Sequence, residues 1–298
     1  MRLSHLAITA PLALALVMSA VASPLLTVAV VGAEDRSGGY SNVDLPEALT
    51  TMLTLALRDS GQFIVLTREQ IAAVIQEQDF ANSGRVAQAG AAAETGAIIP
   101  AQILVRAIIT EFDPGTSSGG QGLRIEGFEL DMGRESGHMA VVVEMIDSTT
   151  GEVVATERAV GTPSGSHTGF GYSDSDWGFG LDDAERDAIG RILQITVDNC
   201  VEAIARGLRN TPWEGAVVTA RGGEVYINAG QNALIREGEV FVVYDPGEAL
   251  IDPATGLNLG SVETEVGMIE VIRVEERFSV CRPIDEGNYG RGQIVREP

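Results

Sequence analysis

Cysteine is scarce in this chain: its 298 residues hold two, Cys200 and Cys281. No dense disulfide framework can therefore hold it together, and its fold must rest on a buried core. The two cysteines fall in regions read below as separate, so a pair between them and two buried free thiols both fit the sequence. Histidine is nearly absent as well. His5 lies in the leader, and His138 and His167 have no metal-ligand spacing around them, so they read as exposed polar residues. No P-loop, G-x-S-x-G or H-E-x-x-H motif occurs. Asp174, Asp176 and Glu185 stand at the first, third and twelfth places of a calcium loop, but Phe179 takes the place where that loop turns on glycine. An enzyme is the least supported class, and no cofactor or metal is expected. Positive charge is also short, at 20 Lys and Arg against 42 Asp and Glu. The resulting net charge of −22 repels phosphate backbones and argues against nucleic acid as a partner. Aromatic residues make up 5% of the chain, yet four of them crowd into "GFGYSDSDWGFG" (169–180).

An apolar run sits at the amino terminus. Arg2 precedes "LAITAPLALALVM", and "SAVAS" then puts Ala20 and Ala22 at the positions a signal peptidase reads. The run is too short to span a bilayer, so a leader cut after Ala22 is expected over residues 1–22. No cysteine stands at the cleavage point, which predicts an unlipidated mature terminus.

Beyond the leader, hydrophobic period assigns the elements. "LLTVAVVGA" (25–33) is a continuous apolar run suited to a strand covered on both faces. "LPEALTTMLTLALRDSG" places Leu45, Leu49, Met52, Leu53 and Ala56 on one helical face, with Pro46 in the first turn and Gly61 as the stop. "QFIVLT" reads as a strand, and "REQIAAVIQEQDFANSG" as a second amphipathic helix. Strands follow at 101–112, 138–148 and 152–160, the last two joined by the turn "STTG". A long helix over 182–208 carries Ile189, Ile192, Leu193, Val197, Val201 and Ile204 at core spacing. The expected class is an α/β (α+β) domain over 23–210. From Trp213 the helical period disappears and short β runs broken by glycine predict a small all-β barrel or sandwich over 211–298.

"LTVAVVGAEDRSGGY", "ALTTMLTLALRDSGQFIVLTREQIAAVIQEQ", "ILVRAIITEFDPGTSSGGQG" and "VEMIDSTTGEVV", in that order, resemble the family of the curli-type outer-membrane secretion channel. The stretch "LIREGEVFVVYDPGEALIDPATGLNLG" is similar to the C-terminal domain of flagellar assembly protein T. The first resemblance implies a periplasmic α/β domain that assembles as a homo-oligomeric ring. It implies two inserted β-hairpins, here at 113–137 and 161–181, that join those of neighbouring subunits in one outer-membrane barrel. It also implies a channel-narrowing loop after the first strand, where Tyr40 and Asn42 are the candidate lining groups. An exported or fibre-forming polypeptide is the implied partner.

The residues of the two insertions bear on this directly. Folding the first about Glu126-Gly127 sets Ile125 opposite Phe128 and Leu123 opposite Leu130, and Met132 continues that apolar face. Arg124 then faces Glu129 on the other side, with Asp131 beyond. One apolar face and one charged face suit a strand between lipid and a watery lumen. Folding the second about Asp174-Ser175 sets Tyr172 opposite Trp177 and Phe170 opposite Phe179, an aromatic girdle. Thr162, Ser164, Ser166 and Thr168 continue that face in polar form. Two readings stay open: an export channel subunit with its hairpins in lipid, and a non-pore periplasmic module whose hairpins dock on protein while it helps assemble a flagellar or surface-fibre structure.

Overall fold

The computed structural model describes residues 23–38, 44–68, 71–82, 99–115, 124–125, 128–129, 137–162, 183–254, 256 and 258–298; the expected leader lies outside them. The chain runs β1 (Thr27–Asp35), α1 (Leu45–Asp59), β2 (Ile64–Val65), α2 (Ile71–Asn82), β3 (Ile103–Asp113), β4 (Arg124–Ile125), β5 (Phe128–Glu129), β6 (His138–Asp147), β7 (Val153–Gly161) and α3 (Asp183–Gly207). Eight further strands follow: β8 (Gly215–Arg221), β9 (Glu224–Ile227), β10 (Val240–Asp245), β11 (Ala249–Ile251), β12 (Asn258–Ser261), β13 (Thr264–Val274), β14 (Ser279–Pro283) and β15 (Ile294–Arg296).

Five strands form one sheet in the order β2-β1-β3-β6-β7. β1 pairs in parallel with β2 and β3, as its helical crossovers require, and β3-β6-β7 run antiparallel. α1 begins where the Asp44 carboxylate accepts the Glu47 N–H at 3.1 Å, an N-cap that satisfies one of the helix's orphan donors. Its face of Leu45, Leu49, Leu53 and Leu57 is fully buried. α3 buries Ile189, Ile192, Leu193, Val197, Val201 and Ile204, the set its spacing predicted. These two helices cover the sheet face made by Ile103, Val105, Ala107 and Ile109 of β3 and Met139, Val141, Val143 and Met145 of β6.

Two elements depart from expectation. β1 is not covered throughout, because a bulge between Val30 and Gly32 leaves Val31 47% exposed; Gly32 takes φ +124, a conformation open to glycine. α2 forms where expected, but Val74 and Ile75 on it remain exposed in this chain.

The remaining strands close a six-stranded barrel, β10-β13-β14-β9-β8-β15, while β11 and β12 pair as a separate hairpin. Closure removes free strand edges from the barrel. Its interior, with Val217, Ile227, Phe241, Val243, Ile269, Val271, Cys281 and Val295, is continuous with the core under the sheet. Trp213 stands between the two, its ring centroid 5.5 Å from that of Phe241. Gln102, just before β3, clips this passage from both sides. It donates to the Pro212 carbonyl at 2.7 Å and accepts from the Glu214 N–H at 3.4 Å. The two cysteines are free: Cys200 lies in α3 and Cys281 in β14. Burial pushes both thiols up to about 12, which keeps them protonated and unreactive at neutral pH.

Arg296 locks the barrel where its last strand enters. Its Nη2 donates to Glu263 Oε1 at 2.8 Å and its Nε to Glu214 Oε1 at 2.7 Å, while its guanidinium lies 5.4 Å from the Tyr244 ring centroid. The Arg296 hydrogen bond holds the Glu263 carboxyl below the usual carboxylate range. Arg296→Ala is expected to cost about 1–2 kcal/mol in urea unfolding at pH 7, a figure reduced for the partial exposure of the pair. A carboxylate with a depressed folded-state pKa stabilises above its unfolded value of about 4.3 and loses that contribution as pH falls through the folded value. The stability gap between wild type and variant should therefore narrow below about pH 4.

Candidate functional site

The residues with the strongest functional claim lie at one end of the sheet, where both insertions leave it. β3 ends at Asp113, which pairs with His138 at the start of β6, and Met139 pairs with Gly161 at the end of β7. The outward strand of the first insertion, its return strand and the outward strand of the second thus emerge from three neighbouring strands. The Asp113 carboxylate accepts the Gly115 N–H at 3.0 Å and turns the chain out of the sheet.

Three devices fix this end. A bulge between Ile109 and Glu111 redirects β3, and the Thr110 hydroxyl there donates to the Ala140 carbonyl at 3.2 Å. Glu111 then bridges both neighbours: its Oε1 accepts from Arg158 Nη2 at 2.9 Å and its Oε2 lies 3.5 Å from His138 Nε2. These side chains are about half exposed, so each pair is worth less than about 1 kcal/mol, and their effect is to set geometry rather than to hold the fold. The third device is steric. A Cβ on Gly161 would lie 2.7 Å from the Thr196 nitrogen and 2.8 Å from the Ile192 carbonyl oxygen of α3. One on Gly137 would press on the Ile192 side chain and the Pro114 carbonyl oxygen, the latter 2.9 Å away. Helix and sheet meet here with backbone against backbone.

Among its described residues the first insertion carries one pair of short strands. β4 and β5 pair Arg124 with Glu129 and Ile125 with Phe128, the register that a turn at Glu126-Gly127 predicts. Leu123, Leu130, Asp131 and Met132 lie outside the described residues, as do Phe170, Tyr172, Trp177 and Phe179 of the second insertion and Tyr40 and Asn42 of the loop after β1. Among the described residues no His, Cys, Asp and Glu group is placed to hold a metal ion. No helix among them is long and apolar enough to cross a membrane, which says nothing of strands. Sequence reasoning passed over Glu111, Arg158, Gly137 and Gly161; the glycines just before β6 and at the end of β7 were the available signal.

On the sheet face opposite the helices, charge dominates. Arg106 of β3 reaches Glu34 of β1 at 2.5 Å and Glu144 of β6 at 3.5 Å, and Arg36 joins Glu34 at 2.7 Å. The arginine hydrogen bonds, Arg36 first and Arg106 next, lower the Glu34 pKa.

An α/β sheet backed by two helices that sends paired insertions out from one end defines a class of insertion-bearing proteins. Residues 16–237 match the model of the family described as curli production assembly/transport component CsgG, and the chain belongs to that family. Relatives of that name from Escherichia coli (strain K12), Salmonella typhimurium and Citrobacter koseri are each 27% identical over 142 residues, 43% of this chain and 50% of theirs. The chain thus spans about half the length of the curated relatives it matches. Among solved structures, the PelC dodecamer from Paraburkholderia phytofirmans is 17% identical, covering 63% of this chain and 92% of that one, with a TM-score of 0.28. The LpoB C-terminal domain from Salmonella enterica is 14% identical, covering 47% and 84%, with a TM-score of 0.26. Likeness at that level bears on neither assembly nor partners.

Gly161→Val is expected to force α3 off the sheet and cost about 1–3 kcal/mol, read as a lowered urea midpoint. Gly161→Val combined with Thr196→Ala should recover only part of the loss, because the Thr196 nitrogen and the Ile192 carbonyl remain in the way.

Proposed function

We propose that this chain is the subunit of a homo-oligomeric outer-membrane channel that exports polypeptide destined for the cell surface. Membership in the CsgG family makes a role in the assembly or transport of surface fibres the natural setting. The observation that carries the reading is the shared root: three strand ends emerge side by side from one end of a rigid sheet, and the first insertion pairs in the register that segregates apolar from charged positions. In a barrel built from many subunits, Leu123, Ile125, Phe128, Leu130 and Met132 face lipid, as do Phe170, Tyr172, Trp177 and Phe179. Arg124, Glu129 and Asp131 line water, and Tyr40 and Asn42 narrow the passage. Such a channel performs no chemistry on its cargo and needs no cofactor; the width and charge of the ring do the selecting.

The test is the double variant Phe128→Asp with Trp177→Asp, since a carboxylate on a lipid-facing strand position costs free energy that the soluble domain does not feel. The protein should move from the outer-membrane fraction to the soluble periplasmic fraction with its thermal unfolding unchanged. Unaltered partitioning of the variant would favour the non-pore reading, in which the hairpins dock on protein.

A further inference from the structure

The barrel closed by β8–β10 and β13–β15 has two unlike ends. At one, Trp213 and the segment after β9 meet the sheet domain, where the Leu25 N–H donates to the Ala233 carbonyl at 3.1 Å. β8 runs away from that junction to Arg221, β9 returns from Glu224, and β14 ends at Pro283, so the turn at 221–224 and the loop at 283–289 share the far end. Between them lies an open cleft of about 630 Å³. Its second wall stands beyond residue 237, where the family match ends.

The chemistry of this cleft is specific. Gly222 and Gly223, with φ +63 and +82, form the tight turn of one wall, and nothing crowds them. Two carboxylates are each anchored by one oxygen. Asp285 Oδ2 accepts the Met268 N–H at 3.0 Å and Glu224 Oε2 accepts the Tyr226 hydroxyl at 2.8 Å, which leaves Asp285 Oδ1 and Glu224 Oε1 as oriented acceptors. Asn288 and Glu286 are exposed beside them. The Tyr289 hydroxyl sits 3.1 Å from the Met268 carbonyl oxygen and 3.2 Å from that of Asp285, which fixes the ring as part of the lining. Arg221 belongs to the same lining, its guanidinium over the Tyr226 ring at 5.3 Å from the centroid.

We propose that this cleft binds an uncharged oligosaccharide, whose hydroxyl and amide groups meet Arg221, Glu224, Asp285 and Asn288 while an apolar ring face lies on Tyr289. The volume accommodates two or three sugar rings, within the usual range for small-ligand sites. Rings that pair an apolar face with a polar edge suit a ligand of the same amphipathic kind. Three carboxylates turn away anionic polymers, and Arg221 in the same wall works against a cationic peptide. Placed at the end of the barrel that faces away from the sheet, the cleft ties the subunit to a glycan without obstructing either insertion root.

Saturation-transfer NMR of the full mature protein with a β-1,4-linked tetramer of N-acetylglucosamine tests this. Transfer to the sugar is expected, with affinity about tenfold weaker in Asn288→Ala and in Arg221→Ala, the loss of one hydrogen-bonding group each. Neither residue carries a side-chain hydrogen bond that holds the fold, so both variants should melt with the wild type. Absence of transfer, or equal transfer in the variants, overturns the proposal. So does displacement by an oligolysine peptide whose own binding is lost in Glu286→Gln and in raised salt, which would make the cleft a site for cationic segments.

Discussion

Everything at the functional end of this protein depends on how closely α3 lies against the sheet. At Gly161 no atom larger than hydrogen fits between strand and helix, because the Thr196 nitrogen and the Ile192 carbonyl already occupy the place of a side chain. Further along the same helix, Cys200 and Ile204 are fully buried in the core, and the chain then passes through Trp213 into the barrel. One helix therefore sets the exit of both insertions at one end and the seat of the barrel at the other. A shift of α3 would be felt at both, since packed interiors transmit displacement rather than absorb it.

Electrostatics supply direction more than strength. The arginines are placed where they join segments distant in sequence: Arg158 with Glu111, 47 residues away; Arg106 with Glu34, 72 away; and Arg296 with Glu214, 82 away. The buried apolar face sets the register, and these pairs add to it on the exposed side. The acidic excess, 42 Asp and Glu against 20 Lys and Arg, repels polyanions.

Local pattern made much of this legible. The apolar faces of α1 and α3 follow their period of 3.6, and the pairing of Arg124 with Glu129 and Ile125 with Phe128 could be placed from the acidic-Gly pair between them. The barrel strands were readable singly, but their closure was not, since it rests on β15 pairing with both β10 and β8 across long stretches of chain. β14 escaped because "SVCRP" is short, ends in proline and lacks a clean alternation. The bulge in β1 hid inside an apolar run, where Gly32 gave the one hint. α2 misled in another way. Its apolar positions repeat as in a buried helix, yet Val74 and Ile75 are not covered by their own chain. The glycines at 137 and 161 were visible, but the crowding around them depends on where Ile192 and Thr196 of α3, far along the chain, come to rest.

The channel account is tested most directly by electron microscopy of the mature protein extracted from cell envelopes in mild detergent. It predicts closed rings with a detergent belt around one end, and the subunit count can be read from the same images. Single particles that leave the envelope without detergent would contradict it, and the two insertions would then be docking elements for another protein.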